Sequence, residues 1–287
     1  MLAAFTWESF KLFRRPAVWV CIGLLLALAV GLGYVAFYFF YTYAPNGPNS
    51  GLPRGVTPRD FKIALYPAAF VKYTLSTWDT LGGVFALILG VLSQGSEYGW
   101  GTIKTLYTQR PGRVAMLAGK LGALSLAVLV LVLTLFAIDA LSSYLVAAVD
   151  GKSASLPATV DILKGVAAGW LIFEFWAVFG FFLATLFRQS ALAIGLGLAY
   201  AIVIEGIIFR IAGAFGGDTV KRVLSWFPVA NTGYLTESFG AAVPAALART
   251  IAKPIADANH AVIVLLIYMA VFIAVAAVLV SRRDVAG

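Results

Sequence analysis

Long apolar runs separated by short polar stretches make up most of the chain. Several of these runs continue for about 20 residues, the length that a helix needs to cross a hydrocarbon core roughly 30 Å thick. The pattern predicts six membrane-spanning helices, at residues 17–43, 79–95, 116–147, 163–186, 191–213 and 261–281; the second is short, and an earlier start around Thr74 is the alternative. We therefore predict an all-α, polytopic integral membrane protein.

The composition supports this prediction. Of the 287 residues, 61% are hydrophobic and 12% are charged, and the mean hydropathy is +0.92, whereas soluble domains carry roughly 25% charged residues. The formal net charge is +8. Because Lys and Arg cluster at the ends of apolar runs, the charge indicates lipid headgroups and topology rather than nucleic acid. The single cysteine, Cys21, excludes a disulfide within the chain and a cysteine metal cluster.

Positive charge in the short flanking segments predicts the orientation. Lys and Arg are concentrated before the first span, between spans two and three, and after the last span. This bias predicts a protein of the cytoplasmic membrane with both termini in the cytoplasm. Residues 17–287 then form one transmembrane domain with two long outer loops, 44–77 and 214–260, each of which has room for a short helix.

Residues 1–16 have a pattern of their own. At 100° per residue, one side of a helix carries Leu2, Phe5, Phe10, Leu12 and Phe13, and the other side carries Glu8, Lys11, Arg14 and Arg15. This pattern predicts an amphipathic helix in the inner interface, and Pro16 turns the chain into the membrane.

Catalytic motifs do not stand out in this sequence. The single histidine, His260, excludes paired histidine ligands for zinc or haem. The stretches "AGKLG" at 118–122 and "DGKSA" at 150–154 lack the glycine that a phosphate loop needs five positions before its lysine. We predict that the chain is not an enzyme, binds no metal or cofactor and has no ATP site of its own.

The segment 96–115 interrupts the apolar pattern. The stretch "GSEYGWG" follows span two, "TIKTLYTQR" is long enough for a short cytoplasmic helix, and Pro111 ends it. Glu97 precedes this helix, where its carboxylate can face the helix start or pair with Lys104 or Arg110. An ordinary cytoplasmic hairpin with charges that anchor two spans explains the same pattern equally well.

The run "SEYGWGTIKTLYTQRPGRVAMLAGK" resembles the signature of permease subunits of ABC-2 type exporters. The matching positions are Glu97, Gly101, Thr102, Pro111, Arg113, Gly119 and Lys120. The basic amphipathic start, the six spans and the ending "VSRRDV" also resemble that family.

The resemblance implies that the segment is a coupling element against which a separate ATPase docks. The residues expected to carry the coupling are Glu97, Gly101, Thr102, Lys104, Arg110, Pro111 and Arg113. It also implies two copies of an ABC ATPase subunit, which bind ATP and magnesium, and a second permease chain, identical or similar, within membrane lipid. No nucleic-acid partner is expected.

An alternative remains open from the residues alone. Asp139, Glu174 and Glu205 lie in predicted spans, where carboxylates often mark a translocation pathway. Glu174 is predicted near the midplane, and the other two are predicted near the outer interface, within reach of Lys164 and Arg210. These residues would suit a proton-coupled secondary transporter.

Overall fold

The computed structural model describes residues 2–43, 57–99, 112–208, 211, 217–240 and 255–282, and the regular elements in those ranges are helices, with no strand. Six of the described helices are long and apolar enough to cross a membrane. We call them spans 1 to 6, in the order Pro16–Tyr43, Pro67–Tyr98, Arg113–Val149, Thr159–Phe187, Ser190–Ile208 and Ala258–Arg282. The prediction of a helical chain with six membrane-length helices is confirmed.

Span 1 changes its helix type along its length. It is α-helical over Pro16–Leu28, π-helical over Ala29–Ala36 and α-helical again over Phe37–Tyr43. Pro16 occupies the first turn, where its missing N–H costs no helical hydrogen bond. In the π segment, the carbonyl of Gly33 accepts a hydrogen bond from the Tyr73 hydroxyl of span 2. Span 1 is therefore joined to span 2 at the segment where its own helical hydrogen bonding is irregular.

Span 2 begins earlier than residue 79 and also earlier than the alternative start around Thr74. Its α-helix runs over Phe70–Gly99 rather than 79–95, and two short 3₁₀ segments, Pro58–Leu65 and Pro67–Ala69, precede it. The polar residues of its first turns conceal the helix in the hydropathy pattern. The structure places one of them, Thr74, inside the bundle, where its hydroxyl donates to Asp139. The predicted outer loop 44–77 therefore contains the first turns of span 2.

Spans 2 and 4 form the centre of the bundle. A Cβ atom added at Gly90 of span 2 would overlap the carbonyl oxygen of Ala177, and one added at Gly180 of span 4 would overlap that of Leu87. The two backbones therefore touch at a reciprocal pair of glycines, as small residues allow between membrane helices. Of the most apolar stretch of span 4, 78% is buried, against 28% for span 1 and 17% for span 6, so the latter two lie at the periphery.

The N-terminal helix, Leu2–Phe13, packs against span 3. Its buried residues are Ala4, Glu8 and Leu12, while Leu2 and Trp7 are 82% and 62% exposed. The amphipathic pattern predicted Glu8 on the polar outer side. In the structure, Glu8 is buried because it forms ion pairs with charged side chains inside the protein. The exposed side of the N-terminal helix is largely apolar.

Two further helices, Asp218–Leu224 and Pro228–Glu237, lie within the predicted outer loop 214–260. Antiparallel spans place this loop on the same side of the bundle as Asp150, which follows span 3. We call this side the Asp150 face. The opposite side, where span 2 ends and span 3 begins, is the Glu97 face.

Candidate functional site

The Glu97 face contains a group of charged side chains contributed by three helices. Glu97 lies near the end of the span 2 helix, Lys120 lies in the early turns of span 3, and Lys11 belongs to the N-terminal helix. The Glu97 carboxylate forms ion pairs with the ammonium groups of both lysines. One carboxylate therefore links the N-terminal helix to both spans that flank the segment 100–111.

Glu8 completes the group. Its carboxylate lies 2.9 Å from the Lys11 ammonium and 3.7 Å from that of Lys120. We call Glu8, Lys11, Glu97 and Lys120 the Glu97 cluster. Its two carboxylates and two ammonium groups have formal charges that cancel.

Burial makes this pairing necessary. Lys120 and Glu97 are each 1% exposed and Glu8 is 3% exposed. A buried charge without a partner would cost several kcal/mol, so such groups occur only when they are paired. Lys120 can therefore stay charged at its buried position in span 3 only because these ion pairs offset the cost of burial.

Glycines let the N-terminal helix come close enough to complete the cluster. A Cβ atom added at Gly119 would lie 2.9 Å from the carbonyl carbon of Ala4, and one added at Gly122 would lie 3.0 Å from the Phe5 ring. Both distances are too short for an unchanged neighbour. The pair Gly119 and Lys120 thus combines a close backbone approach with a charge directed at the approaching helix.

Arg15 extends the polar contacts toward span 1. Its guanidinium donates to the carbonyl oxygen of Leu92 at 2.7 Å and to the Ser96 hydroxyl at 2.6 Å, both in span 2. Arg15 directly precedes span 1. The N-terminal helix, the start of span 1 and the end of span 2 are consequently held together at one place.

Arg113 has a different position from Glu97. Its guanidinium lies 3.4 Å from the carbonyl oxygen of Val280 and 3.3 Å from that of Ser281, in the last turn of span 6. Carbonyl groups at a helix C-terminus lack helical partners and favour a cation. Arg113 therefore joins the start of span 3 to the end of span 6.

The other predicted coupling residues, Gly101, Thr102, Lys104, Arg110 and Pro111, lie outside the described residues, and so does the predicted short helix. The span 2 helix continues through Glu97 to Gly99, and the described ion-pair partners of Glu97 are Lys11 and Lys120. The helix expected after Glu97 and its pairing with Lys104 or Arg110 stay predictions.

The three carboxylates of the alternative hypothesis have separate surroundings. Asp139 accepts a hydrogen bond from Thr74 at 2.7 Å, and Glu174, near the middle of span 4, has Ser125 as its hydrogen-bonding neighbour. Glu205 accepts from the Tyr200 hydroxyl at 2.7 Å. Among the described contacts, no hydrogen bond or ion pair joins any two of the three.

Glu205 has a recognisable structural role. Its second carboxylate oxygen accepts a hydrogen bond at 2.8 Å from the backbone N–H of Ala230, in the first turn of the helix Pro228–Glu237. The first N–H groups of a helix have no helical acceptor, and a carboxylate there is favourable. Glu205 thus anchors this helix to span 5.

A second polar group lies on the Asp150 face. Asp150 forms an ion pair with Lys62 at 2.6 Å and accepts hydrogen bonds from Tyr38 at 3.0 Å and Tyr66 at 2.9 Å. Partial burial alone would raise the pKa of Asp150, but Lys62 and the two hydroxyls outweigh it, and the pKa is lowered. Burial and the Asp150 hydrogen bond raise the pKa of Tyr66 to about 12.

Sequence reasoning missed the cluster as a unit. The resemblance includes Lys120 with Gly119, and the amphipathic pattern puts Glu8 and Lys11 on the polar side of an interfacial helix, but neither pattern joins these residues to Glu97. The available signal was a lysine between Gly119 and Gly122 at the start of an apolar run, since glycines on both sides indicate that another backbone passes close to the charge.

The fold and site define a helical protein whose six membrane-length helices carry a buried ion-pair cluster at one end. The model of the family described as protein of unknown function (DUF2705) matches residues 74–286. The chain belongs to this family. It is also similar to the uncharacterized protein YhcI of Bacillus subtilis (strain 168), with 24% identity over 263 residues, which covers 76% of this chain and 82% of the relative.

Proposed function

We propose that the chain is the membrane-spanning permease subunit of an ATP-driven ABC exporter in the cytoplasmic membrane. Two such chains, identical or similar, would work with two copies of an ATPase subunit that bind ATP and magnesium. The observation that supports this most directly is the Glu97 cluster, because it lies beside the segment that resembles the coupling signature of ABC-2 type permeases.

The cluster gives the proposed coupling a physical basis. Residues 100–111 connect Glu97 at the end of span 2 with the start of span 3, so a force applied to this segment reaches both helices. Ion pairs from Lys11 and Lys120 join the same point to the N-terminal helix and span 3. Movement imposed by a docked ATPase would be shared by three helices.

Arg113 would spread this movement further. Its contacts with the last carbonyl groups of span 6 connect the far end of the same segment to a peripheral helix. Its proposed role is therefore positioning of the segment rather than direct contact with the ATPase.

Basic residues support the proposed orientation. Arg14, Arg188 and Arg282 are all exposed on the Glu97 face, where they would meet anionic headgroups of the cytoplasmic leaflet. In the proposed orientation, the segment 100–111 and both termini would face the cytoplasm, where ATP is available.

Span 1 offers a surface for the second permease chain. Gly23 and Gly31 lie two helical turns apart on an exposed side, and a Cβ atom added at either would meet nothing within 4 Å. Small residues at such spacing let membrane helices pack closely. A second copy of span 1, or another span of the partner permease, fits this surface.

The proton-coupled alternative receives less support from the geometry. Asp139, Glu174 and Glu205 contact different partners and form no described chain of hydrogen bonds. Glu205 also has the structural role of binding a helix start. A route for protons through all three would require groups that connect them.

Site-directed cross-linking in a Cys21→Ala background tests the proposal. A cysteine in place of Thr102 would carry a photoactivatable cross-linker, and a cysteine in place of the exposed Lys152 on the Asp150 face would serve as the matched control. We expect an ATPase-subunit adduct from position 102 only, with a yield that changes when ATP and vanadate are added. If position 102 gives no ATPase adduct in membranes where the ATPase is present, the proposal is refuted.

A further inference from the structure

A groove runs along the membrane-facing side of the bundle between spans 1 and 3. Its floor consists of the buried residues Tyr34, Ser142 and Val146. Val35 of span 1 and Leu145 of span 3 stand on opposite rims and are 48% and 55% exposed. We call this feature the span 1–3 groove.

The groove lies where lipid, not water, is the solvent. All its lining residues belong to two helices of membrane-spanning length and composition. From Ser142 to Val149 it extends about 10 Å along span 3, a third of a hydrocarbon core roughly 30 Å thick. Its volume is about 180 Å³, and its accessible lining is almost wholly apolar.

The floor is already formed without a ligand. The Tyr34 ring packs edge-on against Tyr73, with ring centroids 5.1 Å apart, and the Tyr73 hydroxyl is bound to the carbonyl of Gly33 in the π segment. An apolar ligand would therefore enter a fixed shape and would not have to order the floor.

The end of the groove at the Asp150 face is polar. Tyr38 lines the groove, and its hydroxyl donates to Asp150. The Lys62 ammonium lies 4.3 Å from the centre of the Tyr38 ring and forms the ion pair with Asp150. The span 1–3 groove is thus apolar along its length and ends beside an ammonium and a carboxylate. This distribution matches a lipid, which has an apolar acyl chain and a polar headgroup.

The shape and the charged end favour a lipid over a second copy of the chain. A neighbouring helix, about 10–12 Å across with its side chains, can insert only single side chains into the groove. One hydrocarbon chain occupies its whole length and brings a headgroup to the charged end at Lys62 and Asp150. We infer that the span 1–3 groove binds one acyl chain of a membrane phospholipid, with the headgroup at the Lys62–Asp150 pair. This site does not depend on the proposed ATP-driven transport.

Photolabelling of the reconstituted full-length chain tests the inference. The probe is phosphatidylcholine with a diazirine on one acyl chain, diluted into unlabelled phosphatidylcholine vesicles, and mass spectrometry locates the adducts. Leu145 and Leu141 form a matched pair, because both belong to span 3 and are 55% and 53% exposed, but only Leu145 lines the groove. We expect several-fold more adduct at Leu145 than at Leu141.

Filling the groove provides the second arm. Val149→Trp enlarges a rim residue that is 73% exposed, so the fold has room for it, and Leu141→Trp is the control. The excess labelling at Leu145 should disappear in Val149→Trp and persist in Leu141→Trp. Equal labelling of Leu145 and Leu141 in the wild type would overturn the inference, and so would adducts that join two copies of the chain through the groove.

Discussion

Replacing Glu97 by glutamine tests the cluster on which the proposed coupling depends. The change leaves Lys11 and Lys120 facing Glu8 as their one described carboxylate partner in the cluster. Because Lys120 is 1% exposed, water cannot replace the lost partner. Removal of one member of a buried ion pair costs about 3–5 kcal/mol, and we expect Glu97→Gln to lower the free energy of unfolding by about this amount.

Thermal unfolding of the purified chain in detergent, followed by circular dichroism, measures the effect. In a domain of 150–250 residues, 1 kcal/mol shifts the midpoint by about 2–4 °C, so Glu97→Gln should lower it by about 6–20 °C. The double variant Glu97→Gln/Lys120→Met removes both charges of one pair and should recover a large part of the loss. The control Lys152→Gln changes an exposed charge and should alter the free energy of unfolding by less than about 0.5 kcal/mol.

Two results would refute this reasoning. Glu97→Gln could unfold at the same temperature as Lys152→Gln, which would show that the cluster contributes no measurable stability. Alternatively, the losses of Glu97→Gln and Lys120→Met could simply add in the double variant. Additivity is the behaviour of residues that do not interact, so the ion pair would then have no energetic role.

Further predictions concern orientation, pH and packing. In a Cys21→Ala background, an impermeant thiol reagent added to intact cells should label a cysteine at the exposed Lys152 and spare one at the exposed Gln189; the reverse would invert the topology. The pKa of Asp150 is lowered in the folded chain. Its carboxylate therefore stabilises the fold above the unfolded pKa of about 3.9, and this stabilisation is lost as the pH falls from there through the lowered folded pKa. The acid unfolding curve of Asp150→Asn should lack this loss. Gly119→Val should displace the N-terminal helix and make it a faster target of limited proteolysis, whereas an unchanged cleavage rate would contradict the close approach. Glu205→Ala should destabilise the chain in thermal unfolding by about 1–2 kcal/mol through the loss of a helix cap, and Glu205→Gln, which keeps an acceptor, should lose less.

The six spans could be predicted because burial in lipid requires long apolar runs, and such runs are visible in a single sequence. The start of span 2 was less certain. Thr74 marked the alternative start, but the helix begins at Phe70, because the polar Thr74 is satisfied inside the bundle by Asp139. Hydropathy records the cost of moving a side chain out of water and contains no information about a hydrogen-bonding partner 65 residues away.

The same limit applies to the site. Glu97 was identified from its motif, but its partners Lys11 and Lys120 lie in other helices, and charge alone does not show which cations meet which carboxylate. The N-terminal helix illustrates this most clearly. An amphipathic pattern distinguishes an apolar side of a helix from a charged side. It does not show which side faces the protein, because the charged side can do so when oppositely charged residues of the protein pair with it. Glu8 finds them, so it is buried.

The reciprocal glycine contact between spans 2 and 4 has a mechanical consequence. At Gly90 and Gly180, each against a carbonyl group of the other helix, backbone atoms touch with no side chain between them, so the two spans cannot slide past each other at this level without a clash. We expect the two spans to move together. A displacement applied at Glu97, at the end of span 2, would then also move span 4, which carries Glu174 in its middle.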